Sequence, residues 1–244
     1  APVHPRPGRA ECLMHVDRGK QFQFESAHVT PWQDDPARLH GHSYIVDVVV
    51  AGECDPKLGW LIDYADISKQ FDELYRLLDH KTLGEADGLA DTTLTGVRGW
   101  VLERLRPKIP MLKDVRVRIR GERMFAPKLL NIDTQQDLPE RVRFGFEAAH
   151  ALRRLPAVHK CHTMHGHSFI VEVGAGNVDD LTPALLDVYD RLDHRCLNDV
   201  ISSDNPTSEE TARWIWDALA SRIDDLRMVS VAETCTAKCI YYGR

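Results

Sequence analysis

The 244-residue chain has no apolar run that approaches the roughly 20 residues needed to span a bilayer, and its opening residues lack a signal-peptide pattern. A cytoplasmic protein is therefore expected, with no membrane partner. An excess of basic charge is also missing. With 31 Lys and Arg against 37 Asp and Glu, the formal charge is −6, which offers nucleic acid or an anionic surface no electrostatic purchase. Cysteine is sparse, six residues without a dense framework, so a disulfide-built scaffold is excluded and the thiols are read as reduced.

Histidine, by contrast, is plentiful and patterned. Eight of the 12 histidines fall into two matching quartets. Phe24-Glu25-Ser26-Ala27-His28 matches Phe146-Glu147-Ala148-Ala149-His150, and His40-Gly41-His42-Ser43 matches His165-Gly166-His167-Ser168. Leu78-Asp79-His80 likewise matches Leu192-Asp193-His194, and Trp100 aligns with Trp214. A unit of about half the chain is duplicated, and this decides for two domains.

Within each unit, a strand running from His-Gly-His would put both imidazoles on one face, because strand side chains alternate. A third histidine ending the preceding apolar run completes a set of three, leaving a fourth position open, as in a catalytic rather than a structural zinc site. The expected ligand sets are His150, His165 and His167, and His28, His40 and His42. Cys161 lies among His159, Lys160 and His162. Such neighbours and a nearby cation lower a thiol pKa, making it a usable base or nucleophile. His194 with Asp193 beside it is a candidate proton-transfer pair. Cys235 and Cys239 are assigned to packing rather than ligation, and Trp214 and Trp216 to the core.

The chain order predicts an arm over residues 1–17, an N-terminal unit over 18–130, a joint over 131–140 and a C-terminal unit over 141–244. Strands are expected from Gly19 to His28 and His42 to Val50, with a loop between them through Pro31 and Pro36. Helices are expected from Tyr64 to Leu78, where Ile67, Phe71, Leu74 and Leu78 recur at helical spacing, and from Thr93 to Leu105. A strand over Val115 to Ile119 follows, with another possible near Met124 to Leu130. The second unit repeats this order with strands at 141–150 and 167–174, helices at 181–192 and 207–221, and a strand from Val229 to Glu233 that Cys239 to Tyr242 extends or pairs. Thr207-Ser208-Glu209-Glu210 forms a capping box at the last helix. The second unit is shorter between its His-Gly-His and Asp-His, lacking the Gly59-Trp60-Leu61-Ile62-Asp63-Tyr64 region.

These motifs, with Leu197-Asn198-Asp199, Asn205-Pro206-Thr207-Ser208-Glu209 and Glu233-Thr234-Cys235-Thr236-Ala237, closely resemble the queuosine-pathway branch of the 6-pyruvoyl-tetrahydropterin synthase family. The resemblance covers nearly all of the C-terminal half and Phe24 to Leu105 of the N-terminal half. It implies an α+β fold of tandem tunnelling-fold units, antiparallel sheets with helices on one face that join into a barrel. It further implies zinc on the three histidines, Cys161 as base, Asp193 and His194 as proton relay, and Glu233 and Thr207 holding a pterin. The implied reaction turns 7,8-dihydroneopterin triphosphate into 6-carboxy-5,6,7,8-tetrahydropterin, releasing acetaldehyde and triphosphate. Triphosphate elimination alone, to a 6-pyruvoyl product, is the alternative, as is a zinc- or pterin-binding protein without turnover. A homo-oligomer is implied, a trimer of two-unit chains being favoured, since barrel edges must be closed.

The N-terminal half departs from the family pattern. Pro36 stands where the cysteine should be, Ile119 where Glu233 sits, unless a shifted pairing brings in Glu122, and Thr95 where Glu209 sits. This half is read as degenerate, although its intact Asp79-His80 leaves open that each half lends groups to the other.

Overall fold

The computed structural model describes residues 15–32, 35–55, 58, 60–121, 138–179, 181–234 and 237–243. Met124 to Leu130, Glu122 and Cys235 lie outside the described residues, as do most of the expected arm and joint.

The N-terminal half begins with two long antiparallel strands, β1 (His15–Trp32) and β2 (Asp35–Glu53), in register from His15 opposite Glu53 to His28 opposite His40. Of the expected loop, residues 31–32 and 35–36 are strand, because the backbone pairing continues through Thr30 and Arg38 to Trp32 opposite Asp35, and residues 33–34 lie outside the described residues. Helix α1 (Tyr64–Leu78) opens on Asp63, whose carboxylate accepts from Ala65 N at 2.8 Å, and buries Ile67, Phe71, Leu74 and Leu78 as the spacing predicts. A two-residue strand β3 (Lys81–Thr82), helix α2 (Leu94–Leu105) capped by Thr93, and strand β4 (Leu112–Ile119) complete a sheet of order β3-β1-β2-β4.

The C-terminal half repeats this plan. Strands β5 (Arg141–His150) and β6 (His165–Ala175) pair antiparallel, followed by α3 (Thr182–Leu192), β7 (Arg195–Cys196), the short α4 (Leu197–Ile201), α5 (Ser208–Leu219), β8 (Leu226–Ala232) and β9 (Lys238–Tyr241). The sheet order is β7-β5-β6-β8-β9, and β9 pairs with β8 antiparallel. Only half of the expected capping box closes. Thr207 Oγ1 accepts from Glu210 N, but the Glu210 carboxylate turns to the Ser203 hydroxyl.

Each half owns a core, because alternation sends one face of its strands against its helices. Phe24, Tyr44, Val46 and Val48 meet α1 and α2, and Phe146, Phe169, Val171 and Val173 meet α3 and α5. Tyr44 stacks on Phe24 at 4.9 Å where Phe169 stacks on Phe146 at 4.8 Å. Trp214 and Trp216 flank the core partly buried rather than filling it, and Cys239 packs beside them. None of the described helices is long and apolar enough to cross a membrane.

The halves meet head to head through β1 and β2 of one and β5 and β6 of the other. Gly41 and Gly166 touch backbone to backbone there, with no room for a Cβ on either. Beside them, Ser43 N donates to Ser168 Oγ at 3.1 Å and Ser168 N to Ser43 Oγ at 3.0 Å, a reciprocal pair that reflects the duplication.

Candidate metal centres and proton-transfer groups

The same alternation that builds the cores delivers the histidines. Phe146, Ala148 and His150 share a face of β5, and His165, His167 and Phe169 share a face of β6, with His150 paired opposite His165. The three imidazoles are buried, and His150 Nε2 lies 3.2 Å from His165 Nε2. His28, His40 and His42 form the same group in the N-terminal half, with His28 Nε2 at 2.9 Å from His40 Nε2 and 3.1 Å from His42 Nε2.

In both groups every Nδ1 is already committed to an acceptor. His150 Nδ1 donates to Pro206 O at 2.9 Å, His165 Nδ1 to Thr163 O at 2.7 Å, and His167 Nδ1 to Glu25 Oε2 at 3.0 Å. His28 donates to Thr92 O, His40 to Arg38 O and His42 to Glu147 Oε2. A ring that donates from Nδ1 carries its lone pair on Nε2 when neutral. Three lone pairs facing one another make no hydrogen bonds, but they do make a cation site.

The electrostatics agree. Burial, with neighbouring imidazoles, lowers His28 and His150 to about 4 and His40 to about 2. His167 goes the other way. Burial opposes its charge, yet hydrogen bonds to Glu233 and Glu25 raise it to about 9. Its Nε2 is buried without a well-formed hydrogen bond, although Glu233 Oε1 stands 3.1 Å away. Glu233 in turn is drawn down to about 2, burial being outweighed by His167. The pocket between these carboxylates favours a positive charge, and the four groups His150, His165, His167 and Glu233 lie as close as ligands of one ion.

Around this C-terminal centre the structure rearranges the expected catalytic set. Cys161 is held in a turn after β5, where Leu152 N donates to Cys161 O at 2.8 Å and Cys161 N to His159 Nδ1 at 3.2 Å. Its partner there is His80, not His194: Cys161 Sγ and nitrogens of His80 and His165 lie within 4.8 Å of one another. The His80 ring stacks on His165, and Asp79 Oδ2 stands 2.9 Å from His80 Nδ1, at ion-pair distance. Asp193 and His194 stand instead at the N-terminal centre, where His194 lies 4.6 Å from His40 and gives its Nδ1 proton to Asp193 at 2.7 Å.

The exchange follows from local backbone. His80 and His194 each follow a helix C-cap in the left-handed region, at φ of 56° and 54°. Such a residue costs on the order of 1–3 kcal/mol and persists where its surroundings hold it. Here the His80 N–H donates to Glu25 O and the His194 N–H to Glu147 O, both at 2.6 Å. The turn throws each ring past its own half and onto the other.

Several expectations are corrected. The Cys161 thiol is pushed up rather than down, by burial first and then by the Glu233 and Asp79 carboxylates, with Lys160 opposing. Thr207 Oγ1 accepts from Glu210 N at the helix cap, which leaves its O–H free to donate, and the neighbouring Ser208 donates to Glu233 Oε2 at 3.1 Å. Ile119 does take the place of Glu233. It pairs with Tyr44 of β2, and the same register puts the residue after Ala232 beside Phe169. Among the described residues the N-terminal centre therefore has three imidazoles and an Asp-His pair, with neither a thiol nor a carboxylate from β4. Glu25 and Glu147 were missed as site residues, although each recurs within the repeated Phe-Glu-x-Ala-His motif.

Comparison with known proteins adds to this. The model of a family described as 6-pyruvoyl tetrahydropterin synthase matches residues 19–124 and again 141–244. The chain is similar to 6-carboxy-5,6,7,8-tetrahydropterin synthase of Synechocystis sp., 38% identical over 117 residues, 41% of this chain and 89% of that protein. It is 31% identical over 90 residues to dihydroneopterin monophosphate aldolase of Pyrococcus furiosus, covering 36% of this chain and 72% of that one. It is 36% identical over 76 residues to 6-pyruvoyl tetrahydrobiopterin synthase of Homo sapiens, covering 30% and 52%.

Proposed function

The chain belongs to the 6-pyruvoyl tetrahydropterin synthase family, with two family units in tandem, and from this we propose that it is a zinc-dependent lyase acting on 7,8-dihydroneopterin triphosphate. The proposed products are 6-carboxy-5,6,7,8-tetrahydropterin, acetaldehyde and triphosphate, as in queuosine biosynthesis. The observation that carries the reading is the assembly of Cys161, Asp79-His80 and Glu233 around His150, His165 and His167. No thiol accompanies the three histidines of the other centre among the described residues.

Zinc on His150, His165 and His167 would acidify side-chain hydroxyls and polarise the carbonyl formed from them. The charge of a bound zinc would oppose the burial and carboxylates that push the Cys161 thiol up, and the thiolate would take a proton from the substrate side chain. His80, with Asp79 beside its Nδ1, exchanges protons from Nε2 on the side contributed by the N-terminal half. Glu233 would accept from the pterin ring N–H and amino group through Oε1, while Ser208 holds Oε2. After triphosphate leaves, the side-chain carbinol gives its electrons to the pterin C6=N5 bond, water adds to the resulting C1′ carbonyl, and the C1′–C2′ bond breaks, leaving the 6-carboxylate and releasing the terminal two carbons as acetaldehyde. His28, His40 and His42 would hold a second zinc beside Asp193-His194, without turnover. Three such chains closing their sheet edges into barrels is the proposed assembly.

The test is incubation of the zinc-loaded protein with 7,8-dihydroneopterin triphosphate, reading acetaldehyde and product mass, beside Cys161→Ala. Acetaldehyde and a 6-carboxy product, both lost in the variant, support the reading. A 6-pyruvoyl product without acetaldehyde would replace it with simple elimination. Absence of any turnover despite bound zinc and pterin would leave a binding protein.

A further inference from the structure

Glu25 and Glu147 are buried acids, 6% and 2% exposed, that the proposed chemistry does not use. Each ties three things together. Glu25 N donates to Asp79 Oδ1 at 3.1 Å and Glu25 O accepts from His80, so its backbone fixes the Asp-His pair of its own half. Its side chain crosses to the other half, where Oε2 accepts from His167 Nδ1. Glu147 mirrors this: its N donates to Asp193 Oδ1 at 2.9 Å, its O accepts from His194, and its Oε2 accepts from His42 Nδ1 at 2.7 Å.

Both carboxylates are aimed by a hydroxyl from the seam. Ser43 Oγ donates to Glu25 Oε2 at 2.6 Å and Ser168 Oγ to Glu147 Oε2 at 2.8 Å, and the two serines are the reciprocal pair that joins the halves. Gln23 Nε2 occupies the other Glu25 oxygen at 2.9 Å. A carboxylate on Nδ1 fixes the imidazole tautomer, orients the ring and raises the donor strength of Nε2 toward a metal. The position of the carboxylate therefore decides which centre it serves.

We propose that the two centres are cross-positioned: Glu25 of the N-terminal half sets the C-terminal metal centre through His167, and Glu147 of the C-terminal half sets the N-terminal centre through His42. Neither half then holds a complete centre of its own. This rests on the metal reading given above.

Two single-site chains separate the contributions. His28→Ala leaves only the C-terminal centre, and His150→Ala only the N-terminal one. Cobalt(II) titration followed by visible absorption, with zinc competition, reads the affinity of each, and Glu25→Gln or Glu147→Gln is then added. Glutamine keeps the backbone bonds to Asp79, His80, Asp193 and His194, so only the side-chain link changes. E25Q is expected to weaken the C-terminal centre about 10–100-fold and leave the N-terminal centre within about threefold, and E147Q the reverse.

A general structural role predicts loss at both centres alike, or at the centre of the mutated half, and either result would overturn the proposal, as would no change at either. If E25Q does not fold by circular dichroism, Glu25→Asp withdraws the carboxylate while keeping its charge and is held to the same expectation. Parent single-site chains that bind no cobalt would instead remove the metal reading itself.

Discussion

His80 stacks on His165 at 4.5 Å although the two residues come from different copies of the duplicated unit. The pair reverses the assignment that chain proximity favours, since His194, nearest in sequence to Cys161 among the Asp-His pairs, faces the other centre.

His80→Ala is accordingly expected to lower kcat on the order of 10²–10⁴-fold, comparable to Cys161→Ala, as befits loss of a proton-transfer group. His194→Ala should leave kcat within a few-fold. Steady-state kinetics on both variants decide between them, and equal losses would return Asp193 and His194 to the catalytic centre.

Gly166 meets Gly41 backbone to backbone, and a Cβ on either would collide with a main chain that has no rotamer to escape into. Gly166→Ala should cost about 1–3 kcal/mol, as overpacking does, and should lower the metal content of both centres because the seam carries Ser43, Ser168 and both crossing glutamates. Thermal unfolding of the metal-free variant and its zinc content after reloading test this. Loss of one centre alone would mean that the seam is not shared.

Tyr44 is 1% exposed, and its hydroxyl has no hydrogen-bond partner among the described residues, while burial and the nearby Glu147 push its ionisation far above the ordinary tyrosine value. Its counterpart Phe169 stacks the same way without a hydroxyl. Tyr44→Phe should therefore be neutral or stabilising, by up to about 1 kcal/mol, since an unpaired buried polar group is removed and the ring is kept. Denaturant unfolding at constant slope is the measurement, and a loss of more than about 1 kcal/mol would reveal a partner for the hydroxyl.

Much of this was legible in the chain. The helical spacing of Ile67, Phe71, Leu74 and Leu78 fixed α1 to the residue, because amphipathic period is a local property. The two histidine triplets followed from alternation along strands whose partners lie close in sequence. The cross-half exchange stays open in the sequence, because it depends on a left-handed turn at His80 and on a seam between units, and neither leaves a local signature. The extension of β1 past Pro31 is hidden in the sequence for a related reason. Turn-forming residues argued for a loop, while backbone pairing across the hairpin decided otherwise.

The two centres share three imidazoles and an Asp-His pair but differ at one strand end, where the C-terminal half has Glu233 and the N-terminal half Ile119. An isoleucine accepts no hydrogen bonds, so a pterin ring finds no anchor there, whereas the converging Nε2 atoms of His28, His40 and His42 are as suited to a cation as those of the other triplet. Metal and pterin should therefore bind in unequal numbers, two zinc ions and one pterin per chain. Zinc analysis and calorimetric titration with a non-reactive pterin give both counts. Glu233→Ala should abolish pterin binding and leave both zinc ions bound, whereas Ile119→Ala should change neither count. Two pterins per chain would mean that the N-terminal centre recruits an acceptor from elsewhere, and one zinc would mean that three imidazoles without Glu233 do not suffice.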